Sequence, residues 1–299
     1  MQITIIFNPV AGAGKRTSID RAVSAFNARG VRPLVRATGN RGDAEYFAAE
    51  EADRGCDIVV AAGGDGTINE VANGLAGSRA ALGVLPMGVA NLLAMEMGIP
   101  AEADRAVDAI IQGIPRPVKP GYVILQDDIS GMERKRYFLL MTGIGFDGGV
   151  MHDLKRASVA TWGKAAYITA GMRAMAKYTH TSFTVRIDGH DEVVAYSAVV
   201  GKSRFYGGPW MVTPGASITG DRLDLCLFTG KGAFRMLWNA FAIIANRRLP
   251  LSGVCDARAR ALEITSREQV HVQVDGDYLG CLPIRCGVAT NELSIMAPP

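Results

Sequence analysis

No excess of either charge marks this chain: 32 basic against 29 acidic residues leave +3 over 299 positions. So mild a balance argues against nucleic acid as a partner, and no basic stripe interleaved with aromatics is present. No apolar run is long enough to cross a bilayer; the nearest, residues 80–99, is broken by Pro86, Asn91, Glu96 and several glycines. The opening MQITIIFNPV has neither a charged leader nor a cleavage site, so no signal peptide is expected. Five cysteines without a C-x-x-C pair read as reduced thiols of a cytoplasmic protein. The four histidines are scattered without metal-ligand spacing, and no internal repeat or low-complexity segment appears. What remains, 48% hydrophobic and 20% charged, suits a globular chain long enough for two domains.

The most informative stretch runs from Asp57 to Gly74, DIVVAAGGDGTINEVANG. Its apolar run, Ile58 to Ala62, reads as a fully buried parallel strand. The run stops at Gly63-Gly64-Asp65-Gly66, and Thr67-Ile68-Asn69-Glu70 opens a helix with Thr67 and Glu70 at capping-box spacing. A strand feeding a glycine turn and then a helix N-terminus is a ready phosphate site. Glycines let backbone N–H groups approach an anion, and the helix dipole favours negative charge there. Asp65 is at odds with this, because a carboxylate repels phosphate unless a cation lies between them or the group handles a proton. Its plainer role is to close a local turn.

Two more turns accompany this one. Residues 2–7 form a strand ending at Asn8-Pro9-Val10-Ala11-Gly12, where Pro9 cannot continue a ladder. That loop matches neither a Walker A pattern nor the dinucleotide fingerprint, since Arg16 follows Lys15 and Thr17 takes the place of the third glycine. A strand at 81–85 runs into Leu85-Pro86-Met87-Gly88-Val89-Ala90-Asn91. A strand at 32–37 and helices at 18–29, 43–54, 92–97 and 102–112 complete an alternation that predicts a parallel α/β sheet, with the turns at its carboxyl edge. Composition shifts at Pro115-Arg116-Pro117. Beyond it strands dominate, at 121–126, 137–142, 182–187, 193–201, 223–228, 270–274 and 293–296. Helices are expected at 160–178 and 234–248. An α/β domain over 1–118 and a mainly antiparallel β domain over 119–299 follow, with the last strand free to return to the first domain.

Together these residues resemble the diacylglycerol kinase catalytic-domain family, which includes soluble bacterial diacylglycerol kinases, sphingosine kinases and ceramide kinases. Asn8 to Gly12, Gly63 to Glu70 and Leu85 to Asn91 come in that family's order, and Gly143 to Asp147, Tyr206 to Gly208, Arg222 to Leu225 and Val274 to Asp277 look like its later signatures. The resemblance implies an N-terminal domain with an NAD kinase- or phosphofructokinase-like parallel sheet, a C-terminal β-sandwich, and an active site in a cleft between them. It implies an ATP-dependent, Mg²⁺-assisted lipid kinase, with diacylglycerol as the default acceptor. By position, Asn8, Pro9, Val10, Ala11, Gly12, Thr38, Gly63, Gly64, Asp65, Gly66, Thr67, Ile68, Asn69, Gly88 and Asn91 match nucleotide-contacting segments. Asp65 matches the central aspartate, and Asp277 stands where many members carry a glutamate taken as the base. Asp275-Gly276-Asp277 also reads simply as a hairpin turn, and Asp275 joins the catalytic candidates.

The chain departs from the family at several points. Val89 replaces a threonine of the second glycine turn, while Leu92 and Lys119 stand where soluble bacterial diacylglycerol kinases tend to have aspartates. Gly220-Asp221 inverts the usual Asp-Gly, so that Asp221 or Asp224 is left to serve the family's structural metal site. Two rival functions therefore stay open: an NAD kinase-like enzyme, and a degenerate nucleotide- or lipid-binding protein. The partners implied are a lipid at a membrane surface, approached peripherally, and a second copy in a homodimer. Residues 204–210 read as a packed loop or an acyl-chain entrance. The 234–248 helix reads as packed on the sheet or in membrane contact.

Overall fold

Short apolar runs alternating with helical segments build a six-stranded sheet in the first part of the chain. In a computed structural model, residues 1–10, 15–126, 133–156, 181–246 and 249–299 are described. They divide into two units, Met1–Pro120 with Ala289–Pro299, and Gly121–Val288. The first unit contains β1 (Ile3–Phe7), α1 (Lys15–Ala28), β2 (Leu34–Ala37), α2 (Asp43–Asp53), β3 (Ile58–Gly63), α3 (Asp65–Gly74), β4 (Ala81–Pro86), α4 (Leu92–Met97), α5 (Ala103–Ile111), β5 (Ile114–Val118) and, from the end of the chain, β20 (Leu293–Ala297). The strand order is β2-β1-β3-β4-β20-β5, parallel throughout except for the antiparallel β20–β5 pair.

Strand alternation divides this core between two faces. Ile3, Ile5, Phe7, Ile58, Val60 and Ala62 pack with Ile19, Ala22 and Phe26 of α1 and Val107 and Ile110 of α5. The intervening Ile6, Val59 and Ala61 are equally buried, and α2 and α3 contact β1 and β3. The Pro-Arg-Pro segment, where the composition shifts, is itself a strand. β5 lies at the sheet edge, so the missing N–H groups of Pro115 and Pro117 leave no buried gap in the ladder.

The second unit holds β6 (Gly121–Gln126), β7 (Glu133–Phe138), β8 (Met141–Ile144), α6 (Phe146–Arg156), β9 (Phe183–Ile187), β10 (Asp191–Ala195), β11 (Ser197–Gly201), β12 (Phe205–Tyr206), β13 (Trp210–Met211), β14 (Leu223–Phe228), α7 (Ala233–Ile244), β15 (Val254–Ala259), β16 (Ala261–Thr265), β17 (His271–Val274), β18 (Asp277–Cys281) and β19 (Ile284–Val288). Two antiparallel six-stranded sheets, β10-β9-β16-β19-β6-β7 and β15-β14-β11-β8-β17-β18, share one apolar core and form a sandwich. The expected helix at 160–178 and the end of the 234–248 helix lie outside the described residues.

Two runs that read as single strands are each split between the sheets. The 137–142 run ends β7 in one sheet and begins β8 in the other, and 193–201 divides into β10 and β11 at Tyr196. The first run carries no turn residue, and the second has only Ser197 beside its break. The first corner is instead held from 135 residues away: the Asp275 carboxylate accepts the N–H groups of Leu139 (2.8 Å), Leu140 (3.0 Å) and Met141 (2.8 Å). At the second, Tyr196 N–H donates to Phe228 O at 2.8 Å.

Asp275→Ala removes the acceptor of three buried amides, each costing about 1–3 kcal/mol when left unpaired. Urea unfolding of that variant is expected to show a loss of roughly 3 kcal/mol or more. A loss below 1 kcal/mol would mean that the corner stands without the carboxylate.

Candidate functional site

β1 sits between β2 and β3, so the chain leaves the carboxyl ends of β1 and β3 in opposite directions. Such a switch point is where open parallel sheets take ligands. Asn8 follows β1 there and the Gly63 turn follows β3. Asn8 N–H donates to Ala62 O (3.0 Å) and its Nδ2 to Thr67 Oγ1 (3.1 Å), while its Oδ1 accepts Val10 N–H (3.0 Å). Thr38, at the end of β2, donates its N–H to Phe7 O at 2.9 Å. Three strand ends are thus pinned side by side. Pro9 and Val10 are exposed beside them; Ala11 and Gly12 lie outside the described residues.

The expected capping box is not formed. α3 begins at Asp65, its N-cap Gly64 is extended, and no side chain caps it. Thr67 is therefore already inside the first turn, where its hydroxyl accepts from Asn8, and Glu70 Oε1 accepts Gly42 N–H at 3.1 Å. The first intrahelical bond is Ile68 N–H to Gly64 O (3.0 Å), so the N–H groups of Gly66 and Thr67 precede it. Ile68 itself is core and Asn69 is buried. A Cβ on Gly66 would meet nothing within 4 Å. With no partner among the described residues, these first-turn amides fit a phosphate group.

Asp65 turns away from the expected local role and reaches the next glycine turn. Its Oδ1 accepts Leu92 N–H at 2.7 Å, at the start of α4. Asn91 cannot cap that helix: it is left-handed (φ 49°), and its side chain closes the turn, accepting from Gly88 N–H (2.8 Å) and donating to Gly88 O (3.0 Å). The two turns also touch backbone to backbone. A Cβ on Gly88 would lie 2.5 Å from Gly64 Cα, and Met87 N–H donates to Gly63 O at 2.9 Å. Burial raises the Asp65 carboxyl above its ordinary value, against the backbone N–H bonds of Leu92, Leu93 and Asn91. Val89 is exposed, Leu92 is buried, and Lys119 lies 3.9 Å from Glu292 at the surface.

In the second unit, Asp275 and Gly276 both have positive φ (47° and 85°), as a two-residue type I′ hairpin turn requires, and join β17 to β18. The Asp275 carboxylate is committed to the 139–141 amides, whereas Asp277, half-buried, opens β18. A residue that sequence patterns leave silent steadies this turn: Gln273 accepts Gly276 N–H on Oε1 (2.8 Å) and donates Nε2 to Asp147. Tyr206 O–H donates to the other Asp147 oxygen. Asp147 and Tyr206 lie in recognisable glycine-rich motifs, but Gln273 carries no signal of its own. Burial lifts the Asp147 carboxyl, against the two hydrogen bonds that favour its charge.

The metal candidates Asp221 and Asp224 do not fit a cation. Asp221 Oδ2 accepts Arg260 Nη2 at 2.7 Å; Asp224 accepts Arg258 Nε (3.3 Å) and Gly215 N–H (2.9 Å). Each carboxylate is already neutralised by a guanidinium. Lys202, fully buried, brings its ammonium to Gly220 O at 2.5 Å in the same loop. Among the described residues no group of three His, Cys, Asp or Glu could hold a metal ion.

Two outcomes follow. Chelation by EDTA is expected to leave the thermal midpoint unchanged, whereas Lys202→Met lowers stability by about 1–3 kcal/mol because the Gly220 carbonyl loses its buried donor. Because folding raises the Asp147 pKa, its contribution is fully present below the ordinary carboxylate value and is lost as pH rises through the raised one. The midpoint of the unmodified protein minus that of Asp147→Asn should therefore fall with rising pH. A flat difference would show that folding leaves the Asp147 carboxyl unshifted, and a rising one that the fold favours its charge.

Comparison with known proteins accords with this arrangement. Residues 2–123 match the diacylglycerol kinase catalytic domain, and residues 141–297 match the YegS C-terminal NAD kinase beta sandwich-like domain. The chain is 29% identical to a diacylglycerol kinase of Bacillus subtilis, over 93% of this chain and 90% of that one. It is 30% identical to a probable lipid kinase YegS-like protein of Cronobacter sakazakii, over 89% and 86%. A crystal structure of a diacylglycerol kinase from Bacillus anthracis superposes with a TM-score of 0.74 at 21% identity, covering 100% and 97% of the two chains. Yeast NADH kinase shares the fold at a TM-score of 0.54 and 12% identity, covering 100% and 84%. With its glycine turns at the switch point of one unit and its Asp-Gly-Asp hairpin in a sandwich, the chain belongs to the diacylglycerol kinase catalytic-domain family of lipid kinases.

Proposed function

We propose that the protein transfers the γ-phosphate of ATP to the hydroxyl of a diacylglycerol-like lipid. The observation that carries this reading is the Gly63–Thr67 turn: first-turn amides of α3, at the switch point of the sheet, open onto free space at Gly66. Such amides suit nucleotide phosphates, and the names of the relatives supply the lipid acceptor. Among the described residues no donor set forms a cage for a cation of its own, so Mg²⁺ enters with the nucleotide, as its phosphates ordinarily carry it.

The side chains divide the work. Asn8 and Thr67 hold the edge of β1 against α3, and Asp65 and Asn91 hold the second glycine turn beside the first. Both leave the backbone N–H groups aimed at the phosphates. Asp277 is the base: its carboxylate takes the proton of the lipid hydroxyl as that oxygen bonds to the γ-phosphorus and the bridging oxygen leaves with ADP. Asp275, with both oxygens on backbone amides, positions the turn that carries Asp277.

The test is purified protein with γ-labelled ATP, Mg²⁺ and either mixed extracted lipids or NAD, with mass spectrometry of the labelled product. Label is expected in a lipid phosphate. Asp277→Asn should lower that rate by about 10²–10⁴-fold, the usual contribution of a general base. Gly66→Ala should fold with an unchanged thermal midpoint yet bind ATP more weakly. Label in NADP, or ATP binding without any labelled lipid, would overturn the proposal.

A further inference from the structure

α7 wears its amphipathic pattern inside out. Phe234, Leu237, Trp238, Phe241 and Ile244 share one face at helical spacing and are 85, 55, 37, 57 and 56% exposed. The opposite side is anchored by polar bonds: the buried Asn239 accepts Ser252 N–H (2.8 Å) and donates to Ser252 O (3.0 Å). Trp238 satisfies its indole N–H on Pro250 O at 3.0 Å, which leaves its ring facing outward. A helix anchored on its other side through Asn239 and the buried Ala242, while displaying large aromatics, presents a surface made for an apolar medium.

The charge around it has one sign. From Leu225 through Cys255 the sequence holds Lys231, Arg235, Arg247 and Arg248 and no aspartate or glutamate. Lys231 and Arg235 are exposed at the start of the helix. At twelve residues α7 is about 18 Å long, too short to cross a bilayer, and no helix among the described residues could do so. An apolar stripe in a segment whose charges are all basic suits the headgroup boundary of an anionic bilayer, where rings enter the acyl edge and cations meet lipid phosphates. A second copy seated on this stripe about a twofold axis would bring the same cations together.

We infer that α7 is a docking surface for anionic lipid bilayers, lying in the membrane interface with Phe234 and Phe241 inserted. The inference deepens the lipid-kinase reading, since an acceptor held in a bilayer must be met at its surface.

The full chain and its Phe234→Glu/Phe241→Glu variant are floated with phosphatidylcholine vesicles, with and without phosphatidylglycerol, at low and high salt. Both are also assayed on short-chain diacylglycerol dispersed below its aggregation point and sized by light scattering. The unmodified protein should float with the anionic vesicles and be released by salt. The variant should float about tenfold less while keeping its thermal midpoint and its rate on dispersed substrate. Leu237→Gln serves as a second, milder variant should the first lose its midpoint. Flotation of either correctly folded variant at the unmodified level overturns the surface. So does a dimer of the unmodified protein that the variant dissolves, which would assign the stripe to a second copy. Vesicle binding that depends on Phe234 and Phe241, with no lipid phosphorylated, would sink the kinase reading and leave this surface standing.

Discussion

The bond from Asp65 to the Leu92 amide is what the edge of the first unit depends on. α4 has six residues, too few to persist on its own propensity, and its preceding Asn91 has already used its side chain on Gly88. A carboxylate delivered from the neighbouring turn supplies the missing acceptor and places negative charge where the helix dipole wants it. The same bond accounts for a carboxylate in this glycine turn: Asp65 is directed at the first amide of α4 rather than at those of α3. Its cost is spatial. The two turns come so close that only glycine fits at position 88.

Buried carboxylates play the same structural part in the second unit. Asp275 closes the corner where the chain passes from one sheet to the other, and Asp147 clamps Gln273, which in turn holds the Asp275-Gly276 turn. These interactions set the two aspartates of the hairpin apart: Asp275 spends both carboxylate oxygens on three backbone amides, whereas Asp277 is the first residue of β18.

The loop before β14 shows cationic side chains standing where a metal was expected. Exposed pairs such as Arg260–Asp221 contribute little, because water and salt screen them. The hold on that loop therefore rests on the Lys202 ammonium, buried and bonded to a carbonyl. A lysine and two arginines do there what a dication could do, with no dependence on its concentration.

Local chemistry made much of the protein legible in one dimension. The alternation of apolar runs and helical segments, the glycine turns after β1, β3 and β4, and the Asp-Gly hairpin all depend on neighbours in sequence, and they identified the α/β sheet, the sandwich and the family. The capping box at Thr67 and the unbroken strands at 137–142 and 193–201 were misread, because the partners that decide them are distant. Asn8 claims Thr67, Asp275 bends the chain at Leu139, and Phe228 receives Tyr196. The residue types that can hold charge, turn or bury were set by sequence alone. Which carboxylate faces a helix and which holds a corner was decided only by tertiary structure, because a buried acceptor takes whichever donors the packed chain brings within 3 Å.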